Sequence, residues 1–470
     1  MIADRIRTQV AVIGSGPGGA VTACHVAEAG RAVLLLEEGP ELPLDACPPF
    51  SRAEMEQKYR AGGVTVAIGN PRVAYAEGRC VGGGSEINSG LYHATPPDVL
   101  EAWRVRFGLR AASEADMAPH FQACREALAV APSSGPLPAP SLKLEQGATA
   151  LGWASLEVPR WIRDGRRQSM TETFVPRARA AGCTLLADTR VVRLRRHGGG
   201  WTALATHAPA GRPPRPVEID AETVFVCAGA VQTAALLRRS GIRRNVGALG
   251  MHPTIKVVAL FPDEVNAPGL GVAAHQVKAF APRVSFGCSI SSPPHLALAM
   301  LDHPEHAADV DRSWRHMAIY YAMLTGGTGS VRPLPAFADP LVRYRLTDGE
   351  LAELRDALVN LGRCLFAAGA IRLYPSIAGA RVAEQASELE AWRAPVARHR
   401  LGLMSVHLFG SCPMGENPAV AATDSFGRVH GVPDLRVGDA SLLPGAPGVN
   451  PQGSIMAFAR RNALAFVDGH

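Results

Sequence analysis

Residues 8–37 read TQVAVIGSGPGGAVTACHVAEAGRAVLLLE, and the order of residue types in that run decides the fold. Residues 8–13 are β-branched and apolar without alternation, as suits a parallel strand covered on both faces. Glycines follow at once. Residues 20–29 then carry a helical pattern closed by Gly30, and residues 32–36 (AVLLL) make a second buried strand. Gly14, Gly16 and Gly19 thus form G-x-G-x-x-G between strand and helix. Glycine is needed there because the turn is tight, a pyrophosphate must approach the backbone, and the helix must lie against the strand. The helix N-terminus offers free N–H groups and partial positive charge to the phosphates. Glu37 ends the second strand 18 residues after Gly19, where a carboxylate can accept hydrogen bonds from an adenosine ribose, with Glu38 as a competing acceptor. The expectation is a Rossmann-like α/β domain holding a dinucleotide. Periodicity alone does not choose between NAD and FAD.

With 470 residues, the chain is expected to form two joined domains. Hydrophobic residues at 47% and charged residues at 19% describe a globular chain, and the formal charge of +6 comes from basic residues scattered along it. The densest basic groups, Arg193, Arg195 and Arg196, then Arg238, Arg239, Arg243 and Arg244, carry no interleaved aromatics, so they read as solvated faces rather than a nucleic-acid surface. Nine cysteines, none spaced C-x-x-C, argue against a disulfide framework or structural zinc and for a reducing compartment. No apolar run reaches the ~18 residues of a membrane span, and the first strand leaves no room for a secretory segment. The expected location is cytoplasmic.

Further along, residues 131–140 (APSSGPLPAP) read as a surface loop, and residues 184–194, 202–206 and 223–227 as strands, the last followed by a helix through Arg239. Residues 347–368 are the clearest helix outside the N-terminal unit. Thr347 and Glu350 form a capping-box pattern, and Leu351, Leu354, Leu358, Leu361 and Leu365 make an apolar stripe ended by Gly369. His303 and His306 (HPEH) invite a metal reading, but Pro304 opposes a helix presenting both on one face, and no metal site is expected. His93, His252 and His430 stand alone in sequence and default to core or solvent roles.

Residues 78–92 (GRCVGGGSEINSGLY) resemble the first signature of the glucose-methanol-choline (GMC) oxidoreductase family, and residues 229–242 (GAVQTAALLRRSGI) resemble its second. In the latter, Ala234 stands where proline or serine is usual, and Arg243 follows where glycine is usual. The C-terminal match is stronger: SVHLFGSCPMG from Ser405, then RVHGVPDLRVGDASLLPGAPGVNPQGSIMAFARRNALAF ending at Phe466. The three occur in order, and the resemblance is weakest between about 268 and 340. It implies FAD held by the N-terminal unit, by Gly83, Gly84, Ser85 and Asn88, by Asp439, and by Asn450, Pro451 and Gln452 at the start of the last helix. It also implies a backbone contact from Val191 to adenine. Asp439 could instead be a turn acid. Members that attach flavin covalently do so through a histidine just before the signature asparagine; Ile87 stands there, so non-covalent FAD is expected.

The family's catalytic histidine corresponds to His407 and its partner position to Asn450. The implied reaction is oxidation of an alcohol, in which His407 takes the hydroxyl proton as general base while the hydride goes to flavin N5. Asn450 would orient the substrate oxygen without competing as a base. RYRL, LFAAGA and GVNP are similar to the long-chain alcohol oxidase branch and favour a bulky or apolar alcohol, although those proteins are much longer and carry a cysteine-rich segment absent here. Oxygen or another acceptor would reoxidise the flavin. A lyase or isomerase retaining FAD on the same fold is the alternative, and a flavin-binding protein without turnover a third. The expected cofactor domain is assembled from residues 1–98, 171–250 and 402–470, and the substrate domain, an antiparallel sheet with helices, from 99–170 and 251–401.

Overall fold

The computed structural model describes residues 4–133 and 135–469. The run ahead of Gly14 is strand β1 (Asp4–Ile13), followed by helix α1 (Pro17–Glu28) and strand β2 (Val33–Leu36). All of β2 and the last four residues of β1 are buried, which is why neither alternates. Strands β3 (Thr184–Leu186), β4 (Arg215–Val226) and β5 (Leu435–Val437) complete a parallel sheet in the order β3-β2-β1-β4-β5. Helix α2 (Gly229–Arg239) leaves β4, and helix α3 (Gln452–Val467) lies against α1. An antiparallel arm, Thr189–His197 with Gly200–His207, joins the first half of β4. Residues 184–194, expected as one strand, are two, because Asp188 turns the chain with φ +52°. The expected strands over 202–206 and 223–227 lie within longer ones.

A nine-stranded, mainly antiparallel sheet stands beside this layer. Its order is Thr65–Ala67, Val73–Tyr75, Leu403–Ser405, Thr254–Leu260, Met317–Leu324, Val284–Cys288, His275–Val277 and Ser155–Glu157, with Arg372–Pro375 also paired to Thr254–Leu260. Three of these strands come from stretches that the expected boundaries assigned to the cofactor side. The helix Asp348–Ala367 packs on Thr254–Leu260 and Met317–Leu324 through the leucine stripe, every member of which is buried. Its capping box closes in both directions: Glu350 N–H donates to Thr347 Oγ1 at 3.2 Å, and Thr347 N–H to Glu350 Oε2 at 2.8 Å. The stretch expected as loop over 131–140 instead ends in the helix Ala139–Ala150, which tolerates Pro140 because a first-turn proline gives up an N–H that has no helical partner; Ser134 lies outside the described residues. A small sheet, Leu341–Arg345, Thr328–Arg332, Ala248–Met251 and Leu408–Phe409, bridges the two layers. Among the described residues no helix is long and apolar enough to cross a membrane.

Candidate active site

The glycines of residues 14–19 divide the work expected of them. Gly14 turns the chain with φ +103°, and a β-carbon on Gly19 would lie 1.8 Å from the Gly14 carbonyl oxygen, so only glycine lets α1 settle on the strand. Gly16 and Gly84 differ, because a β-carbon on Gly16 would come no nearer to protein than 3.9 Å, and one on Gly84 would meet nothing within 4 Å. Their faces are open, and Gly83 sits between them, its own β-carbon position 2.8 Å from the Gly16 Cα. The two glycine segments therefore meet in a backbone-lined cradle at the N-terminus of α1, of the kind a pyrophosphate requires.

Glu37 is buried at the end of β2. Its Oε2 accepts from the N–H of Ser15 at 3.0 Å and the Ser15 hydroxyl at 2.7 Å, and its Oε1 accepts from Gly39 N–H at 2.9 Å. Burial raises its pKa, opposed by those hydrogen bonds. Ser15 Oγ in turn accepts from Gly82 N–H at 3.1 Å, tying the second glycine segment to the first. Glu38 is held by Arg60, Arg79 and Arg190, so both acids at the end of β2 already have protein partners. Val191 lies at a β-bulge: Ala205 faces Val191 and Leu204 faces Arg193, so Val192 is passed over and backbone there is freed. Ser85 and Asp439 act through the turns they hold. The Ser85 hydroxyl donates to Gly82 carbonyl and accepts from Met170 N–H. The Asp439 carboxylate accepts from Gly229 N–H, Thr233 Oγ1, Ser441 N–H and the Ser441 hydroxyl, which occupies its acceptor sites with protein donors, as a turn acid would.

The other end of the first glycine-rich signature meets the start of α3. Asn88 Nδ2 donates to Gln452 Oε1 at 2.6 Å, Thr95 and Ser454 hydroxyls lie 2.6 Å apart, and Pro451 is the residue from which α3 departs. A β-carbon on Gly453 would strike the His93 carbonyl oxygen at 2.1 Å, so the helix N-terminus presses directly on that segment. Its first-turn N–H groups have no intrahelical partners and present partial positive charge.

Strand register assembles the histidines. Gly250 pairs with Phe409 and Met251 with Leu408, so the next antiparallel step sets His252 opposite His407. Their Nδ1 atoms are 3.1 Å apart and their rings nearly perpendicular. Ser405 braces the turn, its hydroxyl donating to the His407 carbonyl and accepting from the His407 N–H. On the other ring edge, Asn450 Nδ2 lies 3.2 Å from His407 Nε2, and Asn450 Oδ1 accepts from Gln276 Nε2 at 3.1 Å. Gln276 also donates to the Tyr321 hydroxyl. Read as one network, Gln276 orients the Asn450 amide with Nδ2 toward His407. Nε2 of His407 is then an acceptor, its proton sits on Nδ1, and His252 receives that proton's hydrogen bond.

Burial, then the charge of Lys278, pushes the His407 pKa down to about 4. His93 is pushed to about 3 by burial and Lys278, and His252 well below the ordinary range by burial, His407 and Lys278. The imidazoles are thus neutral near pH 7, and the basic form of His407 is fully populated. His252, expected to serve core or solvent, is fully buried and also contacts His407, and His93 lies within electrostatic reach of Lys278 and His407. His252 directly follows the strand Ala248–Met251, which pairs with the His407 segment, a long-range pairing that leaves no local signal. Gln276, Lys278 and Tyr321 come from the region of weakest resemblance and carried no local motif. His430, by contrast, lies 2.9 Å from the Gly415 carbonyl oxygen, a structural contact. His303 contacts the Pro375 carbonyl and His306 pairs with Asp309; no cluster of three metal-binding side chains occurs among the described residues.

Known proteins match this chain in sequence and in fold. Family models described as GMC oxidoreductase match residues 55–254 and 328–459. An uncharacterized GMC-type oxidoreductase of Sinorhizobium fredii is 38% identical over 98% of this chain and 95% of its own length. A long-chain-alcohol oxidase of Arabidopsis thaliana is 25% identical, covering 99% of this chain and 69% of its own. In structure, pyridoxine 4-oxidase from Mesorbium loti superposes with a TM-score of 0.76 at 21% identity, over 98% of this chain and 100% of that one.

Proposed function

Because the chain belongs to the GMC oxidoreductase family, we propose that it binds FAD and oxidises an alcohol to its carbonyl with His407 as general base. The observation that carries this reading is the 3.2 Å approach of Asn450 Nδ2 to a neutral His407 Nε2. A substrate hydroxyl entering between them donates its proton to Nε2 and accepts a hydrogen bond from Nδ2, which fixes the oxygen while the proton leaves. Nδ1–H to His252 holds the ring in the tautomer that leaves Nε2 basic, and Gln276 holds the amide. When bound, the flavin supplies the hydride acceptor.

The residues present fit that cofactor. Gly16, Gly83 and Gly84 would line the cradle for its pyrophosphate, Glu37 at the end of β2 would meet the ribose, and the bulge at Val191 would offer backbone to adenine. Asn88, Pro451 and Gln452 join the helix N-terminus that would stabilise negative charge on a reduced ring, with Ser85 and Asp439 holding the turns. Attachment is non-covalent, since Ile87 has no nucleophilic atom. The long-chain-alcohol oxidases among its relatives support a bulky or apolar alcohol and oxygen as acceptor. The nine buried, unpaired cysteines suit a reducing, cytoplasmic setting.

The test is anaerobic flavin reduction by saturating alcohol in wild type, His407→Ala, Asn450→Ala and the double variant. Loss of the base should slow reduction by roughly 10² to 10⁴. Asn450→Ala should slow it through lost orientation, and the two should combine less than additively because both groups act on one oxygen. Wild-type reduction rates in His407→Ala would place the base elsewhere. A flavin that no alcohol bleaches would instead favour a lyase or isomerase.

A further inference from the structure

The proton transfer described above uses His407, Asn450, His252 and Gln276, and leaves one charged group in the same place without a task. Lys278 stands two residues after Gln276, at the end of the strand His275–Val277. Alternation along an extended chain places residues i and i+2 on one face, so Lys278 extends from the face that carries Gln276 to Asn450. Its backbone N–H is fixed by the Ala154 carbonyl at 2.8 Å. The residue is half-buried, yet its Nζ is sealed from solvent and meets no hydrogen-bond acceptor among the described residues. Nor does any described carboxylate pair with it; burial alone sets its pKa, at about 8.

An ammonium in such a place is costly unless something pairs with it. The groups around it do not. Its charge reaches His93, His252 and His407, which approach from three separate segments and are all held neutral. Three more polar atoms of the cluster, His93 Nε2, His252 Nε2 and Gln276 Oε1, are also buried with no hydrogen bond of normal geometry, although the His93 and Gln276 side chains interact with each other. The lining therefore carries one net positive charge at neutral pH and no acid to balance it.

Resting on the alcohol-oxidation reading, we propose that Lys278 recognises an anion, so that the alcohol oxidised here carries a carboxylate as well as its carbinol. One ammonium balances one unit of negative charge, which matches a carboxylate better than a phosphate dianion. The apolar part of the substrate and the anionic group are compatible in one molecule: a hydroxy acid whose carbinol reaches His407 while its carboxylate meets the flexible end of Lys278.

The experiment is equilibrium binding to the FAD-loaded enzyme, by calorimetry and by perturbation of flavin absorbance. The probes are benzoate, neutral benzamide and phenyl phosphate, none with a carbinol. Lys278→Met should weaken benzoate by about 10-fold or more, as expected for a charge-assisted contact, and leave benzamide unchanged. Lys278→Arg should restore part of the loss. Wild-type benzoate affinity should fall as pH rises through about 8, where Lys278 loses its proton while His93, His252 and His407 stay neutral; this arm stands even if a variant fails to fold. With a hydroxy acid as substrate, KM should rise in Lys278→Met while kcat changes little. Equal losses for benzoate and benzamide, unchanged benzoate affinity, or a shifted pH profile of flavin reduction alone would overturn the assignment, and tighter phenyl phosphate would replace the carboxylate. Flavin reduction by a hydroxy acid and by neutral benzyl alcohol is scored separately. Failure of both would count against alcohol oxidation and leave the anion site standing.

Discussion

Acidification to about pH 5.5 should leave flavin reduction by a saturating neutral alcohol almost as fast as at neutral pH. The reasoning runs through His407, which must be unprotonated at Nε2 to accept the hydroxyl proton. Burial and the Lys278 charge hold its pKa at about 4. At about pH 5.5 roughly 97% of such a group is neutral, whereas an imidazole titrating at the ordinary value would be only about 9% neutral. The ratio of rates at the two pH values should therefore be near one, not near a tenth. The assay is anaerobic stopped-flow absorbance across the acid range, with the fold checked by circular dichroism at each pH. That check matters because the same depressed pKa works on stability. Between the unfolded value near 6.5 and the folded value near 4, the unfolded chain binds more protons, so stability declines as pH falls through that window. Lys278→Met removes the neighbouring charge and should move the acid limb of the rate profile upward. An acid limb centred near pH 6.5 in folded wild-type enzyme would refute the account of His407 as a buried, charge-suppressed base.

Gly84→Ala should leave the melting temperature of the cofactor-free protein unchanged and weaken FAD by about 10-fold or more, since its β-carbon enters open space in the cradle and not protein. Gly19→Ala should instead destabilise the fold itself, as its β-carbon collides with the Gly14 carbonyl at 1.8 Å; thermal melts of the two variants that look alike would refute the division. Glu37→Ala should weaken FAD by ~1.5 to 3 kcal/mol in a fluorescence titration, with near-normal turnover once FAD saturates, and unchanged affinity would remove Glu37 from the ribose. Acid denaturation should release all the yellow chromophore, and flavin remaining with the precipitated chain would contradict the role given to Ile87.

How much of this was readable in the chain depended on how local the cause was. Gly14, Gly16, Gly19 and Glu37 sit within one β-α-β unit, so spacing alone placed them around one turn. The helix Asp348–Ala367 was legible down to its capping box because both box residues and the stripe are neighbours in sequence. His407 and Asn450 needed the family motif, which supplied a proximity that spacing could not. Gln276 and Lys278 had no such help. They reach the site only because the strand His275–Val277 pairs with Val284–Cys288, which pairs with Met317–Leu324 in turn, and long-range pairing of that kind leaves no local pattern. The helical start inside residues 131–140 was hidden by prolines that mark a loop or a first helical turn equally well.

The packing of α3 on α1, together with the Asn88–Gln452 bond, bears on how the protein matures. On the proposed reading, the glycines that would face the pyrophosphate lie within the first hundred residues, whereas the helix N-terminus assigned to the flavin ring arrives only with residues 450–467. A nascent chain can close its first strands early, but it cannot hold the isoalloxazine until those last segments have been synthesised and docked. Yellow colour in a purified sample would thus report that translation has passed residue 450 and that both ends of the chain have met. Prematurely terminated products would be colourless as well as inactive, which makes the absorbance spectrum a direct measure of chain integrity during expression.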